Sequence, residues 1–137
     1  MSNGATEPIR VLIVDDEPDI CLLLRIQLSA VPGLEVVGTA AEGAAALALC
    51  RDLKPDAVVM DLLMPGMNGF QAIVTMQADF PDIGIVAYTA TAGEFVRNEM
   101  ARLSVPLALK SGDVAPLAEQ VRRVARGRGM QAQHDGS

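Results

Sequence analysis

Five short apolar runs alternate with longer segments in which apolar residues recur at helical spacing, and this alternation leaves few possible folds. The first run, at 9–14, is apolar almost throughout, which is typical of a strand buried on both faces of a sheet. The predicted strands are 9–14, 34–38, 56–60, 83–88 and 106–109. The predicted helices are 19–30, 42–53, 70–78, 94–103 and 114–125. This order predicts right-handed crossovers and an α/β domain: a doubly wound five-stranded parallel sheet with five helices on its two faces.

The length, charge and aromatic content of the chain argue against several functions. A chain of 137 residues can bury a proper core as one domain, and we expect no room for a DNA-reading domain beside it. The net charge of −6 opposes binding to phosphate backbones, and 3% aromatic residues offer little surface for stacking bases. We therefore expect that this chain itself binds no nucleic acid. We see no signal segment and no apolar stretch that could span a bilayer, so we expect a cytoplasmic protein without membrane contact.

The cysteines and the chain ends have plain interpretations. Cys21 and Cys50 fall within predicted apolar helices, which favours reduced core thiols over a disulfide or a metal site. Residues 1–7 and 128–137 are small, polar and rich in glycine, so we expect flexible tails there. The single histidine, His134, lies in the second tail, where we expect it to be solvated and inert.

Polar side chains follow four of the predicted strands. Asp15 and Asp16 follow the first, Asp61 the third, Thr89 the fourth and Lys110 the fifth. Because the carboxyl ends of parallel strands meet at one edge of a sheet, we expect these side chains to converge. Three carboxylates held close would repel one another, and two remedies are available. Lys110 offers a cation, and the all-oxygen set suits a divalent ion, for which Mg²⁺ is the best match.

The same set suits the transfer of a phosphoryl group to a carboxylate. Asp61 would attack the phosphorus, Lys110 and Mg²⁺ would neutralise the phosphoryl oxygens, and Thr89 would hydrogen-bond one of them. Taken singly, each residue has an ordinary explanation: Asp15 or Asp16 as a helix cap, Asp61 as a turn former, Lys110 as a surface residue. Complementary groups rarely follow four strands by chance, so the joint occurrence favours the functional interpretation.

These residues lie in segments that resemble the receiver domain of bacterial two-component response regulators. The segments are VLIVDDEPDI, PDAVVMDLLMPGMNGF, the Thr89-Ala90 pair and LALKS. They occur in the order of that family, and a receiver domain is expected over 8–127. The resemblance implies a flavodoxin-like fold with strand order 2-1-3-4-5. The stretches LEVVGTAAEGAAALAL and VRRVARG are most similar to receivers that are usually joined to a helix-turn-helix DNA-binding domain.

The resemblance also implies the acceptor and the metal ligands. Asp61 would be the phosphoacceptor, taking the group from a phosphohistidine on a sensor histidine kinase or a phosphotransfer protein. Mg²⁺ would be ligated directly by Asp16, Asp61 and the backbone carbonyl of Leu63. Asp15 would act on the ion through water.

Three further residues would complete the site by resemblance. Lys110 would pair with the phosphoryl group, Thr89 would swing to bond it, and the small Ala90 would leave the entry open. Phosphorylation would change the preference for a partner or for a homodimer. The domain would be no enzyme beyond its own phosphorylation and dephosphorylation. The apolar Leu63 and the short polar Thr91 predict a moderate to slow loss of phosphate.

The chain departs from the family at several positions. Leu107 stands where members usually carry a Tyr or Phe whose rotation reports phosphorylation. Pro106 precedes it and predicts an edge strand, because proline lacks a backbone donor. Ser111 replaces the usual proline after the lysine, so no cis peptide is expected there. Tyr88 is an unusual large residue on the fourth strand, and we interpret it as a packed core side chain rather than a substitute switch.

Two other functions remain open. The missing switch aromatic at Leu107 is compatible with a degenerate receiver that acts as a constitutive protein-interaction module. A Mg²⁺-dependent phosphatase with an Asp nucleophile would need a second acid two residues after Asp61. That position is Leu63, which opposes the enzyme interpretation.

Overall fold

The computed structural model describes residues 7–63 and 69–136, with side chains described as far as 125. The described residues form one parallel sheet of five strands in the order β2-β1-β3-β4-β5, which confirms the predicted fold. The strands are β1 (Ile9–Val14), β2 (Leu34–Ala40), β3 (Ala57–Asp61), β4 (Gly84–Thr89) and β5 (Leu107–Leu109). The helices are α1 (Pro18–Ser29), α2 (Gly43–Leu53), α3 (Gly69–Asp79), α4 (Glu94–Arg102) and α5 (Ala115–Gly136). None of these helices, over its described residues, is long and apolar enough to cross a membrane.

The sheet separates two apolar cores, because successive side chains of a strand point to opposite faces. In β1, Leu12 and Val14 point to one face while Val11 and Ile13 point to the other, and all are at most 1% exposed. Side chains of α2, α3 and α4 cover the first face, and those of α1 and α5 cover the second. Each fully buried aliphatic side chain contributes about 1.5–3 kcal/mol. Burial on both faces therefore holds the central strands in place, and the candidate residues follow those strands.

Strand β5 lies at the edge of the sheet, as Pro106 predicts. It pairs with β4, and the carbonyl of Pro106 accepts a hydrogen bond from the N–H of Ala87 at 2.9 Å. The missing N–H of proline therefore removes no bond to the neighbouring strand. No cis peptide occurs among the described residues, which agrees with the prediction made from Ser111.

Strand β2 is longer than predicted, since it ends at Ala40 rather than at 38. Thr39 and Ala40 lie outside the apolar run, yet they continue the ladder beside the end of β1. The register shifts between Val11 and Leu12, which leaves Val37 as an extra residue in β2. Such a bulge is common near functional edges. Backbone pairing, rather than hydrophobicity, decides where this strand ends.

Helix α5 is also longer than the predicted 114–125, because its backbone is helical to Gly136. It begins at Ala115, one residue after the predicted 114, and the Asp113 carboxylate accepts a hydrogen bond from the N–H of Ala115 at 3.1 Å. Glycines in the stretch 126–129 each cost a helix about 1 kcal/mol, but a helix that already packs on the sheet gains one backbone bond per added residue. The flexibility of 1–7 and 128–137 stays a prediction. Residues 1–6 and the side chain of His134 lie outside the described part.

The two thiols should react at different rates, because they differ in exposure. Both are free, as predicted. Cys50 is 0% exposed, and burial raises the pKa of its thiol to about 11. Cys21 is half-buried, and its thiol donates to the carbonyl of Asp15 at 3.2 Å. We expect iodoacetamide at mildly alkaline pH to label Cys21 in the folded protein and Cys50 only after denaturation, as read from intact mass. Cys21→Ser should then take no label while folded, and rapid labelling of that variant would contradict the expectation.

Candidate functional site

The side chains predicted to converge do lie together at the carboxyl edge of the sheet. Asp15 directly follows β1, Asp61 and Thr89 are the last residues of β3 and β4, and Lys110 directly follows β5. These strands are parallel and adjacent, so their ends meet. An open cavity of about 370 Å³ at this edge is lined by Asp16, Glu17, Asp61, Leu63, Thr89, Ala90 and Lys110.

The three aspartates form a compact group of carboxylates. Asp15, Asp16 and Asp61 each present one oxygen, and these oxygens lie within 4.8 Å of one another. Asp15 and Asp61 are 1% and 3% exposed, whereas Asp16 is half-buried. Three hard oxygen donors in one place fit Mg²⁺, which binds through a few carboxylates and keeps some of its water. These residues could therefore hold the ion.

Short local turns orient the two buried carboxylates in the same way. Oδ1 of Asp15 accepts the N–H of Glu17 at 2.9 Å, and Oδ1 of Asp61 accepts the N–H of Leu63 at 3.2 Å. An aspartate that bonds the backbone two residues ahead is a recurrent turn, and it satisfies one oxygen. In both residues Oδ2 is then left for the lysine.

Lys110 provides the cation among the carboxylates. Its Nζ lies 2.9 Å from Oδ2 of Asp15, 3.5 Å from Oδ2 of Asp61 and 3.9 Å from Oε1 of Glu17. Burial alone would lower the pKa of Lys110, but the hydrogen bond to Asp15 and the charges of Asp61, Asp15 and Glu17 raise it above its ordinary value. The ammonium group therefore stays charged at neutral pH. The ammonium offsets part of the charge of the surrounding carboxylates, and the site as a whole keeps a net negative charge.

The carboxyl of Asp61 is strained electrostatically. Burial raises its pKa, the hydrogen bond from Leu63 N–H lowers it, Asp15 raises it and Lys110 lowers it, with a net rise above the ordinary value. The protein without a bound cation therefore disfavours the ionised form of Asp61. A divalent ion or an added positive charge would relieve this cost.

Asp61→Asn is accordingly expected to stabilise the protein when Mg²⁺ is chelated. A raised folded-state pKa means that the folded protein binds more protons, so stability falls as pH rises from about 4, the ordinary carboxyl value, through the folded-state pKa. The variant escapes this loss, and its free energy of unfolding at pH 7 should exceed that of the wild type by about 1 kcal/mol. The difference should vanish below about pH 4. Urea titrations over pH would measure it, with the exposed Asp82→Asn as control, and an equal or less stable Asp61→Asn at pH 7 would refute it.

Thr89 and Ala90 lie at the carboxyl end of β4. Thr89 is 2% exposed, and its hydroxyl donates to the carbonyl of Thr91 at 3.1 Å. The hydroxyl is thus engaged with its own loop in this structure. Ala90 is exposed and adds only a methyl group to the cavity wall. The side chain of Leu63 is 70% exposed at the same rim.

Two features of the site were not predicted as functional. Gly69, which directly precedes the predicted helix 70–78, is the first residue of α3, and a Cβ there would lie 2.3 Å from the carbonyl oxygen of Asp61. The Asn68-Gly69 pair is the signal that could have marked it. Tyr88 is packed in the core at 9% exposure, as predicted, but its ring also lies 5.7 Å from Lys110 Nζ.

The described geometry agrees with a known family. Residues 11–110 match the response regulator receiver domain. The chain belongs to this family. The resemblance expected from the acidic pair, the lone Asp61, the threonine and the lysine is thereby confirmed, while the roles of the individual residues remain predictions.

Several known proteins are similar to this chain over most of its length. A protein-glutamate methylesterase/protein-glutamine glutaminase of Anaeromyxobacter dehalogenans is 42% identical over 100 residues, which is 73% of this chain and 29% of that protein. The response regulator protein VraR of Staphylococcus aureus is 32% identical over 124 residues, covering 87% of this chain and 57% of that protein. A two-component response regulator of the LuxR family from Aurantimonas sp. superposes with a TM-score of 0.82 at 29% identity, over 89% of this chain and 88% of that structure. The chain spans between 21% and 57% of the length of such curated relatives.

Proposed function

We propose that this receiver domain takes a phosphoryl group onto Asp61 from a phosphohistidine of a sensor histidine kinase or a phosphotransfer protein. The observation that supports this most is the grouping of three carboxylate oxygens within 4.8 Å, with Lys110 Nζ 3.5 Å from Asp61. A carboxylate nucleophile, a fixed cation and a hard-metal site are the parts that phosphoryl transfer needs.

The transfer is balanced by the groups present. An oxygen of Asp61 attacks the phosphorus, the P–O bond forms as the P–N bond of the phosphohistidine breaks, and the imidazole leaves with the bonding electrons. Lys110 shifts from Asp15 towards the new phosphoryl oxygens, and the Thr89 hydroxyl leaves the Thr91 carbonyl to donate to one of them.

The donor set also suits a Mg²⁺ ion held by Asp16, Asp61 and the carbonyl of Leu63, with Asp15 acting through water. When bound, the ion would offset the charge of the carboxylates and of the incoming phosphoryl oxygens. The chain's own part is to present these oxygens at one edge of the sheet. The raised pKa of Asp61 supports this assignment, because a site that disfavours its own ionised acid favours a cation.

The output of the domain would be a changed preference for a partner or for a second copy of the chain. Thr89 and Lys110 stand at the ends of β4 and β5, and the loops that lead to α4 and α5 begin there. A movement of either side chain would therefore displace these loops and change the surface around α4, β5 and α5. In this proposal the domain works in the cytoplasm and catalyses no reaction except its own phosphorylation and dephosphorylation.

Incubation with Mg²⁺ and acetyl phosphate, followed by intact-mass measurement, tests the proposal. The wild type should gain one phosphoryl group, and Asp61→Asn should gain none. Asp82→Asn removes an exposed carboxylate outside the site and should behave as the wild type. An unmodified wild type, or equal uptake by Asp61→Asn, would exclude Asp61 as the acceptor.

A second candidate function is that of a constitutive interaction module, and Leu107 favours it. Leu107 is half-buried in β5 and packs against the core on the α2 and α3 face, so no aromatic side chain can rotate there. NMR spectra of the backbone amides, recorded with and without Mg²⁺ and the phosphoryl mimic beryllofluoride, distinguish the two candidate functions. Identical spectra favour the module, whereas shifts around Thr89 and β5 favour the switchable receiver.

A further inference from the structure

The aromatic ring of Tyr88 lies against the cation of the site. Lys110 Nζ is 5.7 Å from the centroid of this ring. A cation within about 6 Å of a ring face is attracted by the ring's electron distribution. Among the described residues this is the one contact of its kind.

The register of the strands produces the contact. Tyr88 pairs with Asp61 of β3 on one side and with Ala108 of β5 on the other. Lys110 lies two residues beyond Ala108 and therefore on the same face of the sheet. Its backbone N–H donates to the carbonyl of Thr89 at 2.8 Å, which continues the β4–β5 pairing up to the lysine. Ala108 carries only a methyl group, so the ring has room beside it.

The carboxylates alone hold the ammonium unevenly. Nζ is at hydrogen-bond distance from Asp15, at 2.9 Å, but is 3.5 Å from the acceptor carboxylate of Asp61. A lysine stem is flexible, and these contacts would allow the ammonium to settle on Asp15. A ring face attracts the ammonium without a directional hydrogen bond. It can therefore keep the cation near both carboxylates while it moves between them.

We propose that Tyr88 is a positioning residue, whose ring holds the Lys110 ammonium within reach of the group transferred to Asp61. The inference rests on the proposed acceptor function of Asp61. It goes beyond core packing, because an aliphatic side chain would fill the same buried space but would not attract the cation. The phenol hydroxyl has no part in it, so phenylalanine should serve as well.

Rates of phosphoryl uptake separate positioning from packing. With saturating Mg²⁺ and acetyl phosphate, Tyr88→Phe should retain the wild-type rate and Tyr88→Leu should be about two- to five-fold slower. If Tyr88→Leu reacts as fast as the wild type, or if Tyr88→Phe is as slow as Tyr88→Leu, the ring does not position the lysine. A wild type that takes up no phosphate overturns the acceptor function itself, whereas a reactive wild type with unaltered variants overturns only the role of Tyr88.

A second readout follows the lysine directly and needs no phosphate donor. The chain contains two lysines, Lys54 and Lys110, so selective labelling of the lysine side chains gives two NMR signals. Tyr88→Leu should shift the Lys110 signal and leave that of Lys54, the cap of α2, in place, while Tyr88→Phe should move neither by much. A Lys110 signal that ignores Tyr88→Leu overturns the proposal. If Tyr88→Leu does not fold, pentafluorophenylalanine at position 88 keeps the ring shape and reverses its charge distribution. It should then slow uptake at least as much as is expected for Tyr88→Leu, and an unaltered rate would overturn the proposal.

Discussion

Lys110→Ala is expected to lower the free energy of unfolding by about 3 kcal/mol when divalent cations are chelated, because it leaves buried carboxylates without a cation. Asp15 and Asp61 are 1% and 3% exposed, and Lys110 is the cation that contacts both. The loss of one partner of a buried pair costs more than the pair itself contributes, since the remaining charge keeps its desolvation penalty. Urea titration in the presence of a chelator would measure the change.

Arg51→Ala is the matched control for this loss. Arg51 and Asp52 form an ion pair at 3.7 Å whose side chains are 71% and 65% exposed. Removing a partner from an exposed pair changes stability by less than about 1 kcal/mol. Mg²⁺ should reduce the difference in free energy of unfolding between Lys110→Ala and the wild type, because the ion offsets the charge of the same carboxylates. If Lys110→Ala is as stable as Arg51→Ala when divalent cations are chelated, the buried carboxylates do not destabilise the fold in the absence of Lys110. The proposed electrostatic role of Lys110 would then be wrong.

The convergence of the site residues could be predicted because it depends on topology alone. Asp15, Asp61, Thr89 and Lys110 each stand at the end of an apolar run, and parallel strands place such ends at one edge. No knowledge of side-chain conformation is needed for that step. The central strands β1, β3 and β4 are recognisable because burial on both faces makes them apolar almost throughout.

The pairing inside the site could not be predicted, because it depends on the conformations of side chains and short turns. Lys110 lies closer to Asp15 than to Asp61, and the Thr89 hydroxyl bonds its own loop. Both contacts depend on differences of an ångström or so in the positions of side-chain atoms. The spacing of residues along the sequence does not determine such positions. The predicted end of β2 was wrong for a related reason. The strand continues through Thr39 and Ala40 by backbone pairing after its apolar pattern has ended.

Gly69→Ala is expected to destabilise the protein by about 3 kcal/mol, although alanine is a better helix former than glycine. Gly69 begins α3, and a Cβ there would lie 2.3 Å from the carbonyl oxygen of Asp61 and 2.6 Å from Cα of Leu62. Both contacts are with backbone atoms, so no side-chain rotation can relieve them. The start of α3 must move, or the segment that carries the Asp61 carboxylate must move.

Gly93→Ala separates this clash from the general effect of losing a glycine. Gly93 caps α4 with φ −81°, and a Cβ there would meet nothing within 4 Å, so a change below about 1 kcal/mol is expected. Since a displacement of about 1 Å at a reacting group can cost about 100-fold in rate, Gly69→Ala should also depress phosphoryl uptake on Asp61 far more than its stability loss explains. Denaturant titration gives the change in free energy of unfolding, and intact-mass kinetics on the folded variants give the change in the rate of phosphoryl uptake. Equal behaviour of the two alanine variants would mean that the close approach of α3 to β3 neither limits the stability of the fold nor positions Asp61.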